Sequence, residues 1–575
     1  MQNEFQVSGT SANALFTLKV HRGEGACLLA MNWKVGRPPA NFVGFAIEYK
    51  EPAGDKFFAL KNRLTFPGPN GAVSPNTLST RLSPIQKFRW VHFPRNANLA
   101  GEFIYRVTPV FMNDKGELSY GEPQELSIEL QGETYPGKFN VGFTRGFVSS
   151  QAFVDRYESQ GDIATLLPAK ADTGLTFRPT HPQTKEALNW MGFEAVRSIL
   201  NLLDEAIADP SATVRVLAYD LNEPDIVVRL QALGARLKLI IDDDGSHNPP
   251  SSAESQSEAL LKESAGVENV KRQHMGKLQH NKVIVVDGDT TKGVVCGSTN
   301  FSWRGFFVQA NNAIVVRGAT AIKPFAEAFD HYWEHDDVAG FAKTDSTIWH
   351  DLGLDGIDVK VTFSPHTTKN AMLKLIANDI GTNISSSLFY SLAFLYQTKG
   401  AIQDAIKSVT KNNAIFVYGI SDKKVKGIVE GLDLQTPGGN VAPVEPATLT
   451  GNVPEPFRSE PVGGGGTRMH HKFVVIDFDK PSARVYMGSY NFSSAADTKN
   501  GENLMVIRDR KVAVAYMVEA LRLFDHYEFR VAHEKAESES KPLMLATPPK
   551  AADEIPWWNE DYTDVRKARD RELFS

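Results

Sequence analysis

The chain has 575 residues, 42% of them hydrophobic, and a formal net charge of −6. At roughly 100 to 200 residues per domain, this length predicts three or four folded units with a substantial core. The acidic balance excludes a generally basic nucleic-acid-binding surface, although it is compatible with a local basic cleft. No run of about 18 apolar residues predicts a membrane-spanning helix. The two cysteines, Cys27 and Cys296, are too far apart in sequence to indicate a disulfide framework, and we expect Cys296 to be a small buried packing residue.

The N-terminal part of the chain, residues 1–135, is predicted to be rich in short strands. Runs typical of strands at 16–20, 44–49 and 103–110 are separated by turns rich in Gly, Pro and Asn. This spacing favours a small antiparallel sandwich that resembles fibronectin or immunoglobulin modules. We expect it to be a scaffold, and docking to a partner, a lipid surface or a nucleic acid is the alternative. Residues 1–20 lack a basic stretch followed by a long apolar core, so a cytoplasmic location is expected, with export by a signal-less route possible.

Residues 136–355 alternate between strand and helix patterns. Helical spacing at 193–207 and 226–233 alternates with buried strand patterns at 214–221 and 237–241, which predicts parallel strands covered by helices. The second strand ends in Asp242, Asp243 and Asp244, which we expect to form a solvated loop rather than a metal site. The polar stretch 248–264 is expected to be mobile, and residues 326–335 are predicted to form a helix.

Residues 356–540 repeat this layout, with helices predicted at 370–378 and 402–409 and strands at 387–395 and 414–419. A Gly- and Pro-rich loop at 432–466 follows, which is expected to be a lid or substrate-shaping loop rather than plain surface. Residues 541–575 form a tail, and we expect Trp557, Trp558 and Tyr562 to hold part of it against the body of the protein.

One short sequence motif occurs twice. The first copy runs from His280 through Lys282 to Asp287 and continues as Gly-Ser-Thr-Asn at 297–300, and the second runs from His470 through Lys472 to Asp477 and continues as Gly-Ser-Tyr-Asn at 488–491. A run Phe-Asp-His-Tyr at 329–332 recurs at 524–527 with nearly the same offset. Such regular spacing indicates a duplicated domain.

The pattern predicts a local geometry. The residues after each histidine are apolar and β-branched, so each copy should form a buried strand, on which positions i and i+2 share a face. His and Lys of each copy therefore point the same way, and Ser and Asn of each Gly-Ser-x-Asn segment do likewise. Two copies meeting across a pseudo-twofold axis would surround one small volume with imidazole, ammonium, hydroxyl and amide groups, which suits a phosphate diester.

These motifs resemble those of the phospholipase D superfamily. The resemblance implies two pseudo-symmetric α-β-α lobes, here preceded by the β-sandwich, and a two-step reaction without metal or cofactor, in which a phosphohistidine is resolved by water or an alcohol. One histidine would attack phosphorus while the other protonates the leaving oxygen. The phosphoryl oxygens would be held by Lys282 and Lys472 with Ser298, Asn300, Ser489 and Asn491. Because Asp287 and Asp477 stand at strand ends, we expect them to order neighbouring groups rather than react, and His471, on the opposite strand face, is expected to be structural.

Two supporting residues distinguish the copies. Aligned from the Gly-Ser pairs, Asn311 of the first copy stands opposite Glu502 of the second, where the family usually carries Glu. If each side chain bonds the histidine of its own lobe, Glu502 favours a protonated His470 and Asn311 leaves His280 neutral. On that premise we predict His280 as nucleophile and His470 as general acid.

Three functions stay open. A phospholipase D acting on glycerophospholipids, by hydrolysis or transfer, is favoured because two complete motifs in one chain resemble that branch. A nuclease is the alternative, since the stretch 488–504 resembles small nucleases and cardiolipin hydrolases of the superfamily, although the acidic balance offers nucleic acid little attraction. The third hypothesis is a binding protein whose sandwich carries the main function. We expect a phospholipid or membrane surface as partner and a monomeric protein.

Overall fold

A computed structural model describes residues 4–68, 77–146, 153, 156–395, 398–421, 469–538, 543–551 and 553–575. The loop at 432–466, predicted to be a lid, lies outside the described residues. Among the described residues, no helix combines the length and apolar character needed to cross a bilayer.

The N-terminal part is a two-sheet β-sandwich, as the sequence predicts. One sheet contains, in spatial order, Gln6–Ser8, Phe16–Arg22, Cys27–Trp33 and Arg89–His92. The other contains Leu118–Tyr120, Glu102–Met112, Phe42–Lys50 and Phe58–Ala59, with Gln124–Glu129 also paired to the long strand. Lys61–Asn62 and Leu78–Ser79 form a small separate ribbon. The strand pairs of the sandwich are antiparallel.

The first lobe is built on a seven-stranded mixed sheet. Its spatial order is Phe139–Phe143, Asn312–Arg317, Lys292–Gly297, Lys282–Asp287, Thr213–Ala218, Leu237–Asp242 and Val270–Gln273. The last three strands are mutually parallel, as the strand-helix-strand pattern predicts. Its helices are Thr184–Ala208, Pro224–Leu233, Ala253–Ala265, Ala319–Glu334 and Val338–Phe341. The stretch 248–264, predicted to be mobile, thus forms most of a helix, which begins where the Ser252 hydroxyl accepts a hydrogen bond from the Ser255 amide.

The second lobe repeats six of these strands in the same spatial order. Its sheet runs His350–Asp351, Asp358–Ser364, Glu502–Arg508, Arg484–Gly488, Lys472–Ile476, Ser387–Leu392 and Phe416–Ile420. Its helices are Leu373–Gly381, Ala401–Thr410, Ser494–Thr498 and the long Arg510–Ser538. The central strands of both lobes are buried on both faces, which explains their continuous apolar runs.

The sandwich and the lobes share an interior. The long helix Arg510–Ser538 packs on the second-lobe sheet and also on sandwich strands Phe16–Arg22 and Arg89–His92. Leu28 of the sandwich belongs to the same hydrophobic cluster as the centres of both lobes. The tail ends in helices Glu560–Thr563 and Val565–Phe574. Trp557 packs on Phe42 and Phe88, with ring centroids 5.6 and 5.4 Å away, so the tail is held to the sandwich as predicted.

Candidate active site

Each motif histidine lies at the seam between the two lobes. His280 lies two residues before Lys282, where the strand Lys282–Asp287 begins. Its backbone amide donates to the Gly501 carbonyl of the other lobe at 2.8 Å. His470 does the same from the second lobe, donating to the Ala310 carbonyl of the first at 3.0 Å. The two crossings are related by the pseudo-twofold axis. They bring the two imidazoles together in an edge-to-face arrangement, with ring centroids 6.5 Å apart and planes inclined at 68°.

The side chain behind each histidine comes from the opposite lobe. Glu502 Oε2 lies 3.4 Å from His280 Nδ1. His470 Nδ1 lies 2.9 Å from Asn311 Oδ1 and 3.1 Å from the Ser298 carbonyl oxygen, so it is the donor nitrogen of a neutral ring. The premise that each side chain bonds the histidine of its own lobe is therefore wrong. The assignment of His280 as nucleophile and His470 as acid, which rested on that premise, loses its support.

The two lysines lie beside the histidines with almost no exposure. Lys282 Nζ donates to the His280 carbonyl at 2.6 Å. Lys472 Nζ donates to the His470 carbonyl at 2.8 Å and stands 3.0 Å from His470 Nε2, which as the unprotonated nitrogen of the neutral ring accepts. Burial lowers the pKa of Lys282 to about 7, although the nearby carboxylates of Asp220, Glu502 and Asp242 oppose that shift.

The surroundings of both imidazoles disfavour a charged ring. Burial, then Lys282 and Lys472, holds the pKa of His280 well below its usual range. Burial and the same lysines also hold the pKa of His470 well below its usual range. Burial raises the pKa of Glu502 to about 7, while the Asn500 amide and the two lysines partly oppose the shift. An anion arriving between the lysines would offset this excess of positive charge.

The two serines and the two asparagines that were predicted to bind phosphate make different contacts. Ser298 Oγ donates to Asn311 Oδ1 at 2.9 Å, and Ser489 Oγ accepts from the Asn503 amide at 3.0 Å, so both hydroxyls brace the strands behind the histidines. Asn300 Nδ2 donates to Asp220 at 2.7 Å, and the Asn491 backbone amide donates to Glu502 at 3.1 Å. Among the described residues, Oδ1 of Asn300 and Oδ1 of Asn491 are buried without a hydrogen-bond partner.

The motif aspartates stand at the far ends of their strands. Asp477 is fully buried and accepts from the backbone amides of Ser385, Ser386 and Ser387 at 2.7 to 3.2 Å. Asp287 pairs with Lys292 at 2.6 Å on the surface. These contacts order neighbouring backbone and surface groups and do not involve the histidines.

His471 and Cys296 are packing residues. His471 is fully buried, and its Nε2 lies 2.9 Å from Glu519 Oε1, away from the paired imidazoles. Cys296 is also buried, with its Sγ 3.2 Å from Met505 Sδ of the other lobe.

Sequence reasoning missed a buried polar network beside His280. His247 lies with Nδ1 2.8 Å from Asp242 and Nε2 3.3 Å from Asp220, and Asp220 in turn accepts from Asn300. Hydrogen bonds to the two aspartates raise the pKa of His247 to about 11 despite its burial. Asp242, expected in a solvated loop, is fully buried. The sequence feature that could have indicated this network is Asp220, which stands two residues after the buried strand Thr213–Ala218 that leads into the site.

Arg304 also bears on the site. Its positive charge lowers the pKa of His470 and of Asp220, which places it close to both. It stands four residues after Asn300, as the first residue of the helix Arg304–Val308.

Beside His470, a phenyl ring occupies the position that corresponds to Asp220 beside His280. Ala218 pairs with Lys282 and Leu392 with Lys472, so Asp220 and Phe394 occupy equivalent positions in the two lobes. The Phe394 ring lies 6.2 Å from the His470 ring and 5.5 Å from Lys472 Nζ. The Tyr219 ring lies 4.7 Å from the His280 ring, so both histidines have an aromatic neighbour. The side of His280 differs by the added Asp220 carboxylate and Asn300 amide.

The family model described as "Cardiolipin synthase, PLD-like domain" matches residues 203–333 and 393–524, once in each lobe. Each lobe therefore contains a match to a phospholipase D-like domain. It is 44% identical over 48 residues to a phospholipase D of Rickettsia felis (strain ATCC VR-1525 / URRWXCal2), which is 8% of this chain and 22% of that protein. It is 28% identical over 115 residues to a mitochondrial cardiolipin hydrolase of Xenopus laevis, which is 20% of this chain and 49% of that protein. The chain therefore spans half or less of the length of these relatives.

Among solved structures, that of a phosphatidylserine synthase from Haemophilus influenzae Rd KW20 aligns with this chain at 14% identity. The alignment covers 60% of this chain and 93% of that chain, with a TM-score of 0.40.

Proposed function

We propose that this protein is a metal-independent phosphodiesterase of the phospholipase D superfamily that acts through a phosphohistidine intermediate. The observation that carries the proposal is the pair of imidazoles facing each other across the lobe seam, 6.5 Å apart, each beside a buried lysine. A nucleophile, a proton donor and two cationic groups then surround one phosphoryl-sized space.

The partners of the histidines support His470 as nucleophile and His280 as general acid. Asn311 and the Ser298 carbonyl hold the proton on His470 Nδ1, which leaves the lone pair of Nε2 available for phosphorus once Lys472 turns to the substrate. His280 has the Glu502 carboxylate behind it, which favours the protonated ring when a phosphate anion is bound. These roles reverse the prediction from sequence.

The reaction then follows in two balanced steps. His470 Nε2 forms a bond to phosphorus while the bond to the leaving oxygen breaks, and His280 gives its proton to that oxygen. In the second step, His280 takes a proton from water, the hydroxide oxygen bonds to phosphorus and the phosphorus–nitrogen bond breaks. Lys282 and Lys472 offset the negative charge on the nonbridging oxygens in both transition states.

We infer that the substrate is a glycerophospholipid. The leaving alcohol lies on the side of its proton donor, His280, where Asp220 and Asn300 make the surroundings polar. The phosphatidyl group stays on His470, beside the Phe394 ring. A flank that carries a carboxylate and an amide, opposite one where a phenyl ring takes the place of the carboxylate, suits a diester with one polar and one apolar alcohol, whereas a nucleic acid places a sugar on both sides. The relatives named as a phospholipase D and a cardiolipin hydrolase support the same substrate class.

The substrate is tested with purified protein and its His470→Ala variant, in EDTA, on mixed phospholipid vesicles and on single- and double-stranded DNA and RNA. We expect headgroup release that the substitution abolishes, whereas His274→Ala, at an exposed histidine, leaves it unchanged. Cleavage of nucleic acid with lipids untouched would overturn the lipid assignment. Loss of all activity in EDTA would overturn the metal-independent mechanism.

The histidine roles are tested with an activated leaving group. A p-nitrophenyl phosphodiester needs little protonation, so His280→Ala should retain far more activity on it than His470→Ala, by at least about 100-fold. Acid quenching with phosphorus-labelled substrate should place the label on His470. Label on His280 would reverse the roles again.

A further inference from the structure

A chain of hydrogen bonds connects the long helix Arg510–Ser538 to the side chain behind His470. Glu519 and Arg522 stand one turn apart on that helix and are only 4% and 6% exposed, so both charged groups lie inside the protein. Arg522 Nε donates to Glu519 Oε2 at 2.7 Å, and Arg522 Nη2 donates to Glu519 Oε1. Such a buried pair keeps a fixed orientation, because separating it would leave two unpaired charges away from water.

The Glu519 carboxylate is also bound by the neighbour of the proposed nucleophile. His471 follows His470 directly and is fully buried, with its Nε2 2.9 Å from Glu519 Oε1. Burial, which Glu519 only partly opposes, holds the pKa of His471 below its usual value, so the ring is neutral and Nε2 is the donor. Burial alone would raise the pKa of Glu519, but Arg522 and this hydrogen bond reverse the shift and keep the carboxylate charged. Glu519 thus orients the arginine while it is itself anchored by the motif strand.

The other edge of the Arg522 guanidinium reaches the first lobe. Nη2 donates to the Thr144 carbonyl at 3.2 Å, just after the edge strand Phe139–Phe143 ends. The Thr144 hydroxyl accepts from the Asn311 backbone amide at 2.9 Å, and the Thr144 amide donates to the Asn311 carbonyl at 3.0 Å. The position of Asn311 is therefore set by Thr144, and that of Thr144 by Arg522.

Asn311 in turn holds the proton of His470. Its Oδ1 lies 2.9 Å from His470 Nδ1, and its Nδ2 donates to the Gly305 carbonyl at 2.9 Å, so the oxygen faces the histidine. This contact selects the ring form with the proton on Nδ1 and the lone pair on Nε2, which the proposed attack on phosphorus needs. A displacement of Asn311 by about 1 Å would weaken the hydrogen bond and let the ring change its orientation or tautomer.

Among the described residues, the first lobe lacks this ionic pair. Asn281, the counterpart of His471, instead makes hydrogen bonds to neutral amide side chains at 2.8 and 3.0 Å. When the two Phe-Asp-His-Tyr runs are aligned, Pro324 stands in place of Glu519. The pair therefore accompanies the copy of the motif that contains His470, the histidine assigned as nucleophile.

We propose that Arg522 is a positioning residue for His470. Oriented by Glu519, it acts through Thr144 and Asn311 to keep the proton on Nδ1 of the imidazole. This inference rests on the proposed function, in which Nε2 of that ring attacks phosphorus. Because Arg522 acts through other residues, its substitution should slow phosphoryl transfer and leave anion binding by the two motif lysines intact.

Nuclear magnetic resonance of the full-length protein, with histidine labelled at the ring nitrogens, detects this proton directly. The Nδ1–H signal of His470 is identified by its absence in His470→Gln. Arg522→Lys should abolish the signal, because an ammonium on a flexible stem does not hold Glu519 and the Thr144 carbonyl in one fixed geometry. Arg484→Lys should preserve it, since that arginine, also 6% exposed, forms a fork with Asp379 away from the histidines.

Hydrolysis of a p-nitrophenyl phosphodiester gives a second readout. In Arg522→Lys, kcat should fall at least about tenfold while KM stays within about threefold of the wild-type value. In an Asn311→Ala background, the same substitution should change kcat by less than about twofold, because the residue through which it acts is absent. Arg484→Lys should leave both constants unchanged.

Thermal melts show which variants are folded under the assay conditions. If Arg522→Lys is unfolded, Glu519→Gln, which has nearly the same shape as the native residue, should produce the same loss of signal. An Nδ1–H signal that survives in the folded variant, losses of kcat that add to those of Asn311→Ala, or a change in KM alone would overturn the proposal. A wild-type protein that does not hydrolyse the diester would overturn the proposed function, while the Nδ1–H signal still decides whether Arg522 positions His470.

Discussion

At the scale of single residues, the two copies of one motif have become chemically unequal. Each presents a histidine and a lysine, but His280 has a carboxylate behind it and a polar network beside it, whereas His470 has an amide behind it and a phenyl ring beside it. Asp220 and Phe394 make the difference at equivalent strand positions. Two identical imidazoles can then take opposite roles because their surroundings stabilise different protonation states.

Lys282 should make anion binding depend on pH. Burial lowers its pKa to about 7, so it loses its proton as pH rises through neutrality. The inhibition constant of a non-hydrolysable phosphonate diester should therefore be lowest at about pH 6 and rise at least about tenfold by about pH 9. Lys282→Arg should flatten this dependence, because arginine stays charged throughout. An unchanged pH dependence in Lys282→Arg would show that another group controls binding.

His247 should contribute stability that depends on pH. Its pKa is raised from 6.5 to about 11, so its contribution is fully present below about 6.5 and disappears as pH rises through about 11. His247→Gln should lower the free energy of unfolding by roughly 3 kcal/mol near pH 6, and by progressively less toward pH 10. Thermal melts across this range measure the trend, with His274→Gln, at an exposed histidine, as control. A deficit that grows with pH would contradict the ion-pair assignment.

At the scale of elements, the site depends on how strand ends cross between lobes. Gln279 bridges to Gly501 and Ala310 bridges to Met469, so the segment before each histidine pairs with the segment before the opposite supporting residue. Asn503 Nδ2 also donates to Asn281 Oδ1 across the seam at 2.8 Å. Because of this pairing, each histidine contacts the supporting side chain of the opposite lobe, Glu502 for His280 and Asn311 for His470.

Gly488 should be sensitive to any side chain. It has a φ of 145°, and a Cβ atom there would lie 2.2 Å from the Asn503 carbonyl oxygen on the adjacent strand. Gly488→Ala should cost about 2 kcal/mol or more of stability and reduce activity, because the strand that carries Ser489 must shift. Gly245→Ala, where a Cβ would meet nothing within 4 Å, is the matched control. Equal melting temperatures for the two variants would refute the steric argument.

At the scale of the whole molecule, the sandwich is part of the enzyme body and not a separate appendage. Leu28 belongs to the cluster that contains the centres of both lobes, and Arg89 joins three elements. Its guanidinium lies 2.8 Å from Asp525 of the long helix, 2.9 Å from Asp570 of the tail and 3.1 Å from the Tyr418 hydroxyl of the second lobe. Deleting residues 1–135 would expose this interior, so such a deletion cannot separate binding from catalysis.

Arg89→Met should test that junction. Without the guanidinium, Asp525 and Asp570 are left near each other in a largely buried position, which should cost roughly 3–5 kcal/mol. The loss should be smaller at about pH 5 than at about pH 8, because the abandoned carboxylates can then take up protons. Arg81→Met removes the more exposed pair with Glu48 and should change stability by less than about 1 kcal/mol. Similar losses in both variants would contradict the junction role.

Much of the architecture follows from the sequence alone, for a physical reason. Strand patterns at 16–20, 44–49 and 103–110 and the helical spacing at 226–233 and 402–409 are confirmed, because burial of one face imposes the period of its element. The repeated motif likewise predicts the duplicated lobes, each of which contains a match to a phospholipase D-like domain. The polar composition of 248–264 predicted a mobile segment, but most of it is helical. The helix begins with a local serine cap and has a mostly polar surface.

Only the tertiary structure decides which lobe supplies the partner of each histidine. Alignment places Glu502 in the copy of His470, but backbone pairing across the seam carries it to His280. The burial of Asp242 and its link through His247 to Asp220 also arise from segments distant in sequence. The order of residues thus determined which chemical groups are present and how each strand presents them. The packing of two lobes against each other determined their neighbours, and through those neighbours the proton positions on which the proposed reaction depends.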